Sequence, residues 1–242
     1  MSIVNSTKYM VQRILRTFGW EIRRFVESEV IQLSKQLNQR GINIVLDIGA
    51  NEGQFASALF LAGYKGKIIS FDPLSDVHKK LKNNAASNPN WVVAEATAIG
   101  SEDGFTEINV SKNLVSSSIL DIRKEHTEAA PQSRYYKKER VPLMTLDTYA
   151  KRAELKNIFL KIDTQGFEMQ VLKGAESLLQ STNGLLLEMS IAPLYEGQAD
   201  FMDIIQFAKD RGFELWSIEP GFANQKTGRL LQFDATFFRA VT

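Results

Sequence analysis

A short apolar run that ends in a glycine-rich turn, IVLDIGANEGQF at residues 44–55, is the feature that most constrains the fold. Apolar runs of this length are typical of buried strands. Glycine-rich turns that follow a strand and open a helix are where doubly wound α/β proteins bind nucleotides and related molecules. The segment therefore predicts a ligand site at the carboxyl end of a parallel strand.

Alternating strand and helix patterns follow along the rest of the chain. Strands are predicted at 44–47, 67–72, 91–99, 105–110, 158–163 and 185–189, and helices at 54–63, 76–86, 146–152, 168–180 and 201–210. This alternation is typical of βαβ units and predicts a doubly wound, mostly parallel α/β sheet with helices on both faces. FELWSIEP (213–220) and ATFFRA (235–240) predict a final hairpin, which would place an antiparallel strand at the end of that sheet.

Residues 111–140 show no clear period. A patternless stretch inside an α/β domain is more often a functional loop or lid than a simple connection. Its RYYKKER segment (134–140) mixes cations and aromatic rings, which suits a sugar, a phosphorylated acceptor or a nucleic acid. Because charged runs are common on surfaces, we favour a solvated edge before a strand that starts at Val141.

Residues 8–38 follow a helical pattern. An apolar face is formed by Val11, Ile14, Leu15, Phe18, Ile22, Phe25 and Val26, with Arg13, Arg16, Arg23 and Arg24 off that face. We favour a helix packed on the domain; the alternatives are a peripheral membrane contact through residues 8–26 and a homodimer contact. The predicted organisation is a helical extension at 1–40 followed by one ligand-binding domain at 41–242.

Composition excludes several classes of protein and site. The 242-residue chain has no cysteine, two histidines and a formal net charge of +1. Disulfides, thiol catalysis and thiolate metal ligands are therefore excluded, and two histidines argue against a zinc site. The charge gives no reason to expect a nucleic-acid partner. No apolar run reaches the ~18 residues of a transmembrane helix. Because Lys8, Arg13 and Arg16 interrupt any signal-peptide core, we expect a cytoplasmic protein.

The glycine turn fits neither of two common nucleotide motifs. A dinucleotide-binding turn needs G-x-G-x-x-G, but Asn51 and Gln54 stand where its second and third glycines belong. A phosphate-binding P-loop needs Gly-Lys-Ser/Thr, which does not follow the turn. NAD and ATP are therefore excluded as ligands of this turn.

The turn instead has the pattern D-x-G-x-N-x-G, formed by Asp47, Gly49, Asn51 and Gly53. Asp72, at the end of the next strand, is placed like the acidic residues that accept the hydroxyls of a ribose in other doubly wound sites. Carboxylates at 47 and 163 would balance the sulfonium and ammonium charges of a cationic ligand. The pattern therefore favours S-adenosylmethionine as the cofactor.

Four segments, VLDIGANEGQF, SFDP, FLKIDTQGFEMQVLKGA and GLLLEMS, resemble the successive motifs of the FkbM family of S-adenosylmethionine-dependent methyltransferases. The resemblance covers about residues 42–242. It implies the Rossmann-like class I methyltransferase fold, a seven-stranded sheet whose last strand runs antiparallel. Gln165 departs from the family pattern, because many relatives have Glu there, so a carboxylate's role at this position is not carried over.

The resemblance also implies the parts of a cofactor site. The 47–53 turn would line the methionine part, Asp72 would hold the ribose, and Phe71, Pro73 and residues 96–98 would border the adenine. Ser117 and Asp163 would lie close to the methyl donor. The full implied set is Asp47, Gly49, Ala50, Asn51, Gly53, Phe55, Phe71, Asp72, Pro73, Thr97, Ala98, Ser117 and Asp163.

Methyl transfer to an alcohol needs alignment and a group that accepts the hydroxyl proton. The candidate catalytic residues are Asp163 and Glu188, at predicted strand ends, and His126, whose ordinary pKa suits a base near neutrality. Glu168 begins a helix, so a structural role is expected. Mg²⁺ between Asp163 and Glu188 is chemically allowed, but nothing in the spacing requires it, and no metal site is predicted.

The sequence thus predicts an S-adenosylmethionine-dependent O-methyltransferase that acts on a small-molecule or glycan acceptor, namely a hydroxyl of a sugar, glycolipid or secondary metabolite. One alternative is an N-methyltransferase, which is weakened because DTQG (163–166) stands where an N/D-P-P-Y/F tetrapeptide would be expected. The other is a non-catalytic, cofactor-binding scaffold. The complete set of turn and strand-end residues argues against it.

Overall fold

A computed structural model describes residues 28–153 and 155–240. The chain alternates helices and strands as α1 (Ser28–Gln39), β1 (Ile44–Ile48), α2 (Gln54–Leu61), β2 (Lys67–Phe71), α3 (Ser75–Ala85), β3 (Trp91–Val93), β4 (Ala98–Ile99), β5 (Gly104–Ser111), α4 (Lys124–Ala129), β6 (Tyr135–Met144), α5 (Leu146–Ala150), β7 (Ile158–Ile162), α6 (Glu168–Lys173), α7 (Glu176–Leu179), β8 (Thr182–Ser190), α8 (Phe201–Asp210), β9 (Phe213–Pro220) and β10 (Gln232–Arg239). Most of the predicted helix at 8–38 lies outside the described residues, and α1 is its described part.

Seven strands form one sheet in the order β3-β2-β1-β7-β8-β10-β9. Strands β1, β2, β3, β7 and β8 run parallel to one another. The segments IVLDI of β1 and IFLKI of β7 are almost entirely apolar, as expected of central strands that are covered on both faces. The predicted doubly wound, mostly parallel sheet is confirmed.

The last strand, β10, pairs antiparallel with both β8 and β9. The predicted hairpin and antiparallel last strand are therefore confirmed. Within the sheet, β10 inserts between β8 and β9 and leaves β9 at the edge.

Two apolar cores lie on opposite faces of the sheet. The larger core packs β1, β7, β8 and β10 against α5–α8, with Val171, Leu172 and Ile204 among its buried residues. The other core packs the sheet against α1–α3 through residues such as Leu37 and Leu59. The result is a three-layer α/β/α arrangement. Within the described ranges, no helix is long and apolar enough to cross a membrane.

A second sheet has three strands in the order β4-β6-β5. The single strand predicted at 91–99 was wrong: β3 pairs with β2, whereas β4 pairs with β6 in this second sheet. The segment 134–140 was also misassigned, because β6 begins at Tyr135 and pairs antiparallel with β5. Backbone hydrogen bonds to β5 hold this segment as a strand, although its charged side chains show no hydrophobic pattern typical of a strand.

The helix predicted at 168–180 is two helices, α6 and α7, which are separated at Gly174. A Cβ atom at Gly174 would lie 1.9 Å from the carbonyl oxygen of Gly100, the residue that follows β4. The chain therefore bends where the backbone of the second sheet approaches it. This contact holds the second sheet against the helical layer that contains α6 and α7.

Candidate active site

A cavity of about 590 Å³ opens at the carboxyl ends of β1, β2, β7 and β8 and extends to β10. This volume is typical of small-molecule sites. Among the residues predicted from the sequence, those that line it are Gly49, Ala50, Asn51, Phe55, Phe71, Asp72, Pro73, Thr97, Ala98, Ser117, His126, Asp163 and Glu188. Asp47 and Gly53 do not line it, and the structure gives a physical reason for each.

The two glycines of the 47–53 turn are required by close packing. Gly49 has φ +73°, and a Cβ there would lie 1.8 Å from the carbonyl oxygen of Asp163. Gly53 has φ +91°, and a Cβ there would lie 2.4 Å from the ring of Trp91. Gly49 thus permits the ends of β1 and β7 to meet at the cavity, whereas Gly53 faces the core.

Asp72 projects from the end of β2 into the cavity and is held by the backbone. Its Oδ2 accepts a hydrogen bond from the backbone N–H of Asn51 at 3.0 Å, and its Oδ1 accepts one from Leu74 at 3.0 Å. Burial raises the pKa of Asp72 to about 7, although the two backbone donors oppose the shift. Each carboxylate oxygen keeps a further lone pair with which it can accept hydroxyl hydrogens.

Asp47 acts on the cavity through Lys161 and has no contact of its own with it. Asp47 and Lys161 are directly opposite in the pairing of β1 with β7. The Lys161 Nζ lies 3.2 Å from Asp47 Oδ1 and 3.4 Å from Asp163 Oδ2. It also donates to the carbonyl of Gly49 at 3.3 Å. Burial lowers the pKa of Lys161, but Asp47 and Asp163 reverse that effect and raise it above its ordinary value.

Gln165 links the two candidate carboxylates at the cavity wall. Its Nε2 donates to Asp163 Oδ1 at 2.9 Å and to Glu188 Oε2 at 2.6 Å. Its Oε1 accepts a hydrogen bond from the Tyr195 hydroxyl at 2.7 Å, which fixes the orientation of the amide. An amide at 165 therefore bridges two acids, where a carboxylate would add a third negative charge.

Glu188 accepts hydrogen bonds from two amide side chains. Its Oε2 also accepts a hydrogen bond from Gln232 Nε2 at 2.7 Å. Burial raises the pKa of Glu188 well above its ordinary value, and the neighbouring Asp163 and Asp234 raise it further. Glu188 therefore retains a proton more readily than an exposed glutamic acid. Asp163 exposes 34% of its side chain and also lines the cavity.

The turn between β7 and α6 is held by Glu168, in agreement with its predicted structural role. Its Oε1 accepts hydrogen bonds from the backbone N–H groups of Thr164 and Gly166 at 2.9 and 3.1 Å. Burial raises the pKa of Glu168 to about 7. These hydrogen bonds fix the backbone conformation next to Asp163 and Gln165.

A serine-rich segment, residues 116–118, also lines the cavity. The Ser117 hydroxyl donates to the carbonyl of Leu114 at 2.7 Å. The Ser118 hydroxyl donates to the carbonyl of Gln165 at 2.7 Å. The segment is therefore tied both to itself and to the β7–α6 turn.

The structure brings His126 to the cavity from α4, in the stretch predicted as a loop or lid. The side chain is 3% exposed and lies edge-on to Tyr195, with ring centroids 5.3 Å apart. Its Nδ1 has no hydrogen-bond partner. Burial lowers the pKa of His126 to about 4, so the expectation that it titrates near neutrality was wrong.

Sequence reasoning missed several residues of the cavity, including Lys161, Gln232 and Asp234. Lys161 carried a usable signal, because a lone cation in an apolar strand needs a buried partner. Gln232 and Asp234 carried little signal, since their strand reaches the site only through its insertion beside β8. Within the parts of the chain that the structure describes, no three histidine, aspartate or glutamate side chains form a candidate metal site.

The sequence profile of the methyltransferase FkbM domain matches residues 47–215, more than half of the chain. The chain is 25% identical over 203 residues to the 2-O-methyltransferase NoeI of Sinorhizobium fredii, with 81% of this chain and 83% of that protein covered. It is 24% identical over 172 residues to the hexuronic acid methyltransferase AglP of Haloferax volcanii. That match covers 70% of this chain and 65% of AglP, just under two thirds of its length.

Similar solved structures include TehB from Haemophilus influenzae, with 12% identity and a TM-score of 0.48, covering 90% of this chain and 64% of that chain. Another is a SAM-dependent methyltransferase from Aquifex aeolicus, with 13% identity and a TM-score of 0.42, covering 89% of this chain and 100% of that chain. The profile match extends from Asp47, near the end of β1, into β9 and includes the cavity residues at the ends of β1, β2, β7 and β8. The chain therefore belongs to the FkbM family and is a methyltransferase.

Proposed function

We propose that this methyltransferase transfers a methyl group from S-adenosylmethionine to a hydroxyl of a sugar-containing acceptor. The observation that carries the proposal is that Asp72, directly after β2, and Asp163, directly after β7, line the same cavity. The first suits a ribose diol and the second suits a cationic sulfur centre. The bound donor would supply an electrophilic methyl group, and the chain would supply alignment and acceptance of a proton.

The cavity residues fit such a donor by their chemistry. Asp72 has acceptor capacity beyond its two backbone donors. Phe71, Pro73, Thr97 and Ala98 supply a mainly apolar wall next to it. A donor with an exposed positive charge would gain from the nearby carboxylate of Asp163, because the cavity is partly shielded from water.

For the acceptor, we propose that Asp163 receives the hydroxyl proton. It exposes 34% of its side chain, and Gln165 and Lys161 both hold its carboxylate oxygens in place. Glu188, whose raised pKa favours the protonated form, would instead contribute hydrogen bonding. The roles of Asp163 and Glu188 thus differ because their environments differ.

The class of acceptor is supported by the named relatives. NoeI is named for methylation at a 2-O position, and AglP for methylation of a hexuronic acid. The first name gives an oxygen as the methylated atom and the second gives a sugar acid as the substrate, and together they support an oxygen atom of a sugar as the acceptor. At about one quarter identity the names support the class of acceptor and leave the particular sugar open.

Calorimetric titration of S-adenosylmethionine and of its demethylated product tests the donor. We expect micromolar binding to the wild type and loss of at least about tenfold in affinity for Asp72→Ala, which removes the hydroxyl acceptor. Asp76→Asn is the matched control, because Asp76 is an exposed carboxylate on α3 that lies outside the cavity. It should bind like the wild type.

The same preparations test the acceptor role with labelled S-adenosylmethionine and a glycoside panel. Asp163→Asn should retain donor binding to within about threefold and lose at least about a hundredfold in transfer rate. A wild-type protein that binds neither adenosyl ligand would overturn the proposed donor. Equal transfer by Asp163→Asn would overturn the proposed proton acceptor alone.

A further inference from the structure

Gln165 has a backbone conformation that its surroundings must hold. Its φ is +55°, in the left-handed region that residues other than glycine rarely adopt. The Ser118 hydroxyl donates to its carbonyl at 2.7 Å, and Glu168 Oε1 accepts hydrogen bonds from the backbone N–H groups of the residues on either side of it. Such conformations concentrate at active sites and persist where several contacts define them. The contacts that hold this backbone also direct the Gln165 side chain toward Asp163 and Glu188.

Tyr195 contacts the same turn in two ways. Its hydroxyl donates to Gln165 Oε1 at 2.7 Å. Its ring packs against Gly166, where a Cβ would lie 3.0 Å from the ring. Tyr195 is fully buried, and burial raises the pKa of its hydroxyl well above the ordinary value, so the hydroxyl keeps the proton that it donates. Tyr195 is thus a fixed hydrogen-bond donor to the amide.

The position of Tyr195 is itself fixed by contacts outside the turn. Its backbone N–H donates to Gln198 Oε1 at 3.3 Å. It also forms an antiparallel bridge with Ile122, which lies two residues before the start of α4. A line of contacts therefore runs from Ile122 through Tyr195 and Gln165 to Asp163.

The amide of Gln165 and the ammonium group of Lys161 hold the Asp163 carboxylate from two sides. Gln165 Nε2 lies 2.9 Å from Oδ1, and Lys161 Nζ lies 3.4 Å from Oδ2. Reversal of the amide would place its oxygen against an oxygen of the ionised acid, and the hydrogen bond from Tyr195 opposes that reversal. Without the amide donor, the carboxylate would be drawn toward Lys161, whose positive charge would offset its own.

We infer that Gln165 and Tyr195 are positioning residues for Asp163, the proposed proton acceptor. Each acts through the next side chain in the line: the Tyr195 hydroxyl sets the orientation of the Gln165 amide, and the amide holds the carboxylate. This inference rests on the proposed function, because that function gives Asp163 its part in the reaction.

Calorimetric titrations at pH 8 with S-adenosylmethionine and its demethylated product test the inference. The two ligands differ by one positive charge, so the ratio of their affinities reports on the carboxylate near the sulfur centre, whereas general damage to the site weakens both ligands. We expect Tyr195→Phe to bind the product within about twofold of the wild type. The same variant should lower the affinity ratio of S-adenosylmethionine to product at least about threefold, because the carboxylate pairs more closely with Lys161.

A double variant tests whether Tyr195 acts through Gln165. Gln165→Met keeps the length of the side chain, removes the amide and should lower the affinity ratio at least about threefold. Tyr195→Phe in that background should change the ratio by less than about 1.5-fold, because the amide on which the hydroxyl acts is gone. Tyr64→Phe is the matched control, since Tyr64 is also buried and its hydroxyl donates to the carbonyl of Ile42 at 3.3 Å, away from the cavity. It should leave the ratio unchanged.

NMR of isotope-labelled glutamine side chains follows the amide itself and needs no ligand. The Gln165 NH₂ signals are assigned by their loss in Gln165→Met. We expect these protons to exchange with solvent at least about tenfold faster in Tyr195→Phe than in the wild type, because the amide loses its fixed orientation. Tyr64→Phe should leave their exchange unchanged.

An unchanged affinity ratio in both Tyr195→Phe and Gln165→Met would overturn the inference, as would equal losses of affinity for the two ligands. A further fall of the ratio in the double variant would contradict the action of Tyr195 through Gln165, and so would unchanged exchange of the amide protons in Tyr195→Phe. If neither ligand binds the wild type, the proposed function fails, and the exchange measurement alone then decides whether Tyr195 holds the amide.

Discussion

Glu168 is a buried acid whose hydrogen bonds do not require its charge. One oxygen, Oε1, accepts all three bonds, from the backbone N–H and hydroxyl of Thr164 and from the N–H of Gly166. Burial raises its pKa to about 7, above its ordinary value. A raised carboxyl pKa stabilises the folded chain at acidic pH, and this contribution is lost as the pH rises through about 7.

Glu168→Gln should therefore change stability in a pH-dependent way. The amide keeps an oxygen for all three donors and cannot ionise. We expect the free energy of unfolding at pH 8.5 to exceed that of the wild type by about 1–3 kcal/mol, and the two proteins to agree within about 1 kcal/mol at pH 5. Urea denaturation at the two pH values measures this.

Glu168→Ala is the contrasting variant, because it removes the acceptor itself. It should destabilise the protein by about 2–4 kcal/mol at both pH values, since three donors lose their partner. If Glu168→Gln were as unstable as Glu168→Ala at pH 8.5, the turn would depend on the negative charge, contrary to this account.

Between elements, Gly174 joins the helical layer to the second sheet. Its φ is −79°, so the position does not need glycine for its backbone conformation. It needs glycine because a Cβ would meet the carbonyl of Gly100 at 1.9 Å. The contact places the β4 end beside α6, and β4 carries Ala98 of the cavity wall.

Gly174→Ala should thus cost about 2–4 kcal/mol of unfolding free energy, because backbone must move to admit the methyl group. Gly197→Ala is a suitable comparison, since its φ is +71° but nothing lies within 4 Å of the added Cβ. That variant should cost only about 1 kcal/mol, from the left-handed backbone alone. A cost for Gly174→Ala no greater than that for Gly197→Ala would show that the two elements separate easily.

The sequence predicted strands well where their hydrophobic pattern follows directly from burial in the sheet. The central strands β1 and β7 are apolar because both faces are covered, and they were placed to within one residue. The charged first part of β6, residues 135–140, was missed because it is ordered by pairing with β5, which a local pattern does not encode. In the site, Asp72 was predictable from its strand-end position. His126 acquired its environment only from packing against Tyr195 and Phe222.

Across the whole molecule, charge is distributed unevenly. The formal net charge is only +1, yet the cavity lining that the structure describes combines the carboxyl groups of Asp72, Asp163, Glu188 and Asp234 with one lysine, Lys161. They come from β2, β7, β8 and β10 or the residues directly after them, so the concentration depends on the order of strands in the sheet. Such a site favours positively charged ligands, although the net charge of the whole protein gives no such preference.

The excess of acids in the cavity predicts a difference between two nearly identical ligands. S-adenosylmethionine carries one positive charge more than its demethylated product, so only its affinity should depend strongly on electrostatic attraction. Raising sodium chloride from about 0.05 to 0.5 M should weaken its binding about three- to fivefold, and weaken the product less than about twofold, because salt screens the partly exposed carboxylates. Calorimetric titrations at pH 8 measure both constants. In Asp163→Asn the difference between the ligands should shrink, because this acid exposes a third of its side chain to the cavity. Equal salt dependence of the two ligands in the wild type would mean that the carboxylates do not act on the sulfonium, and that the donor lies elsewhere in the cavity.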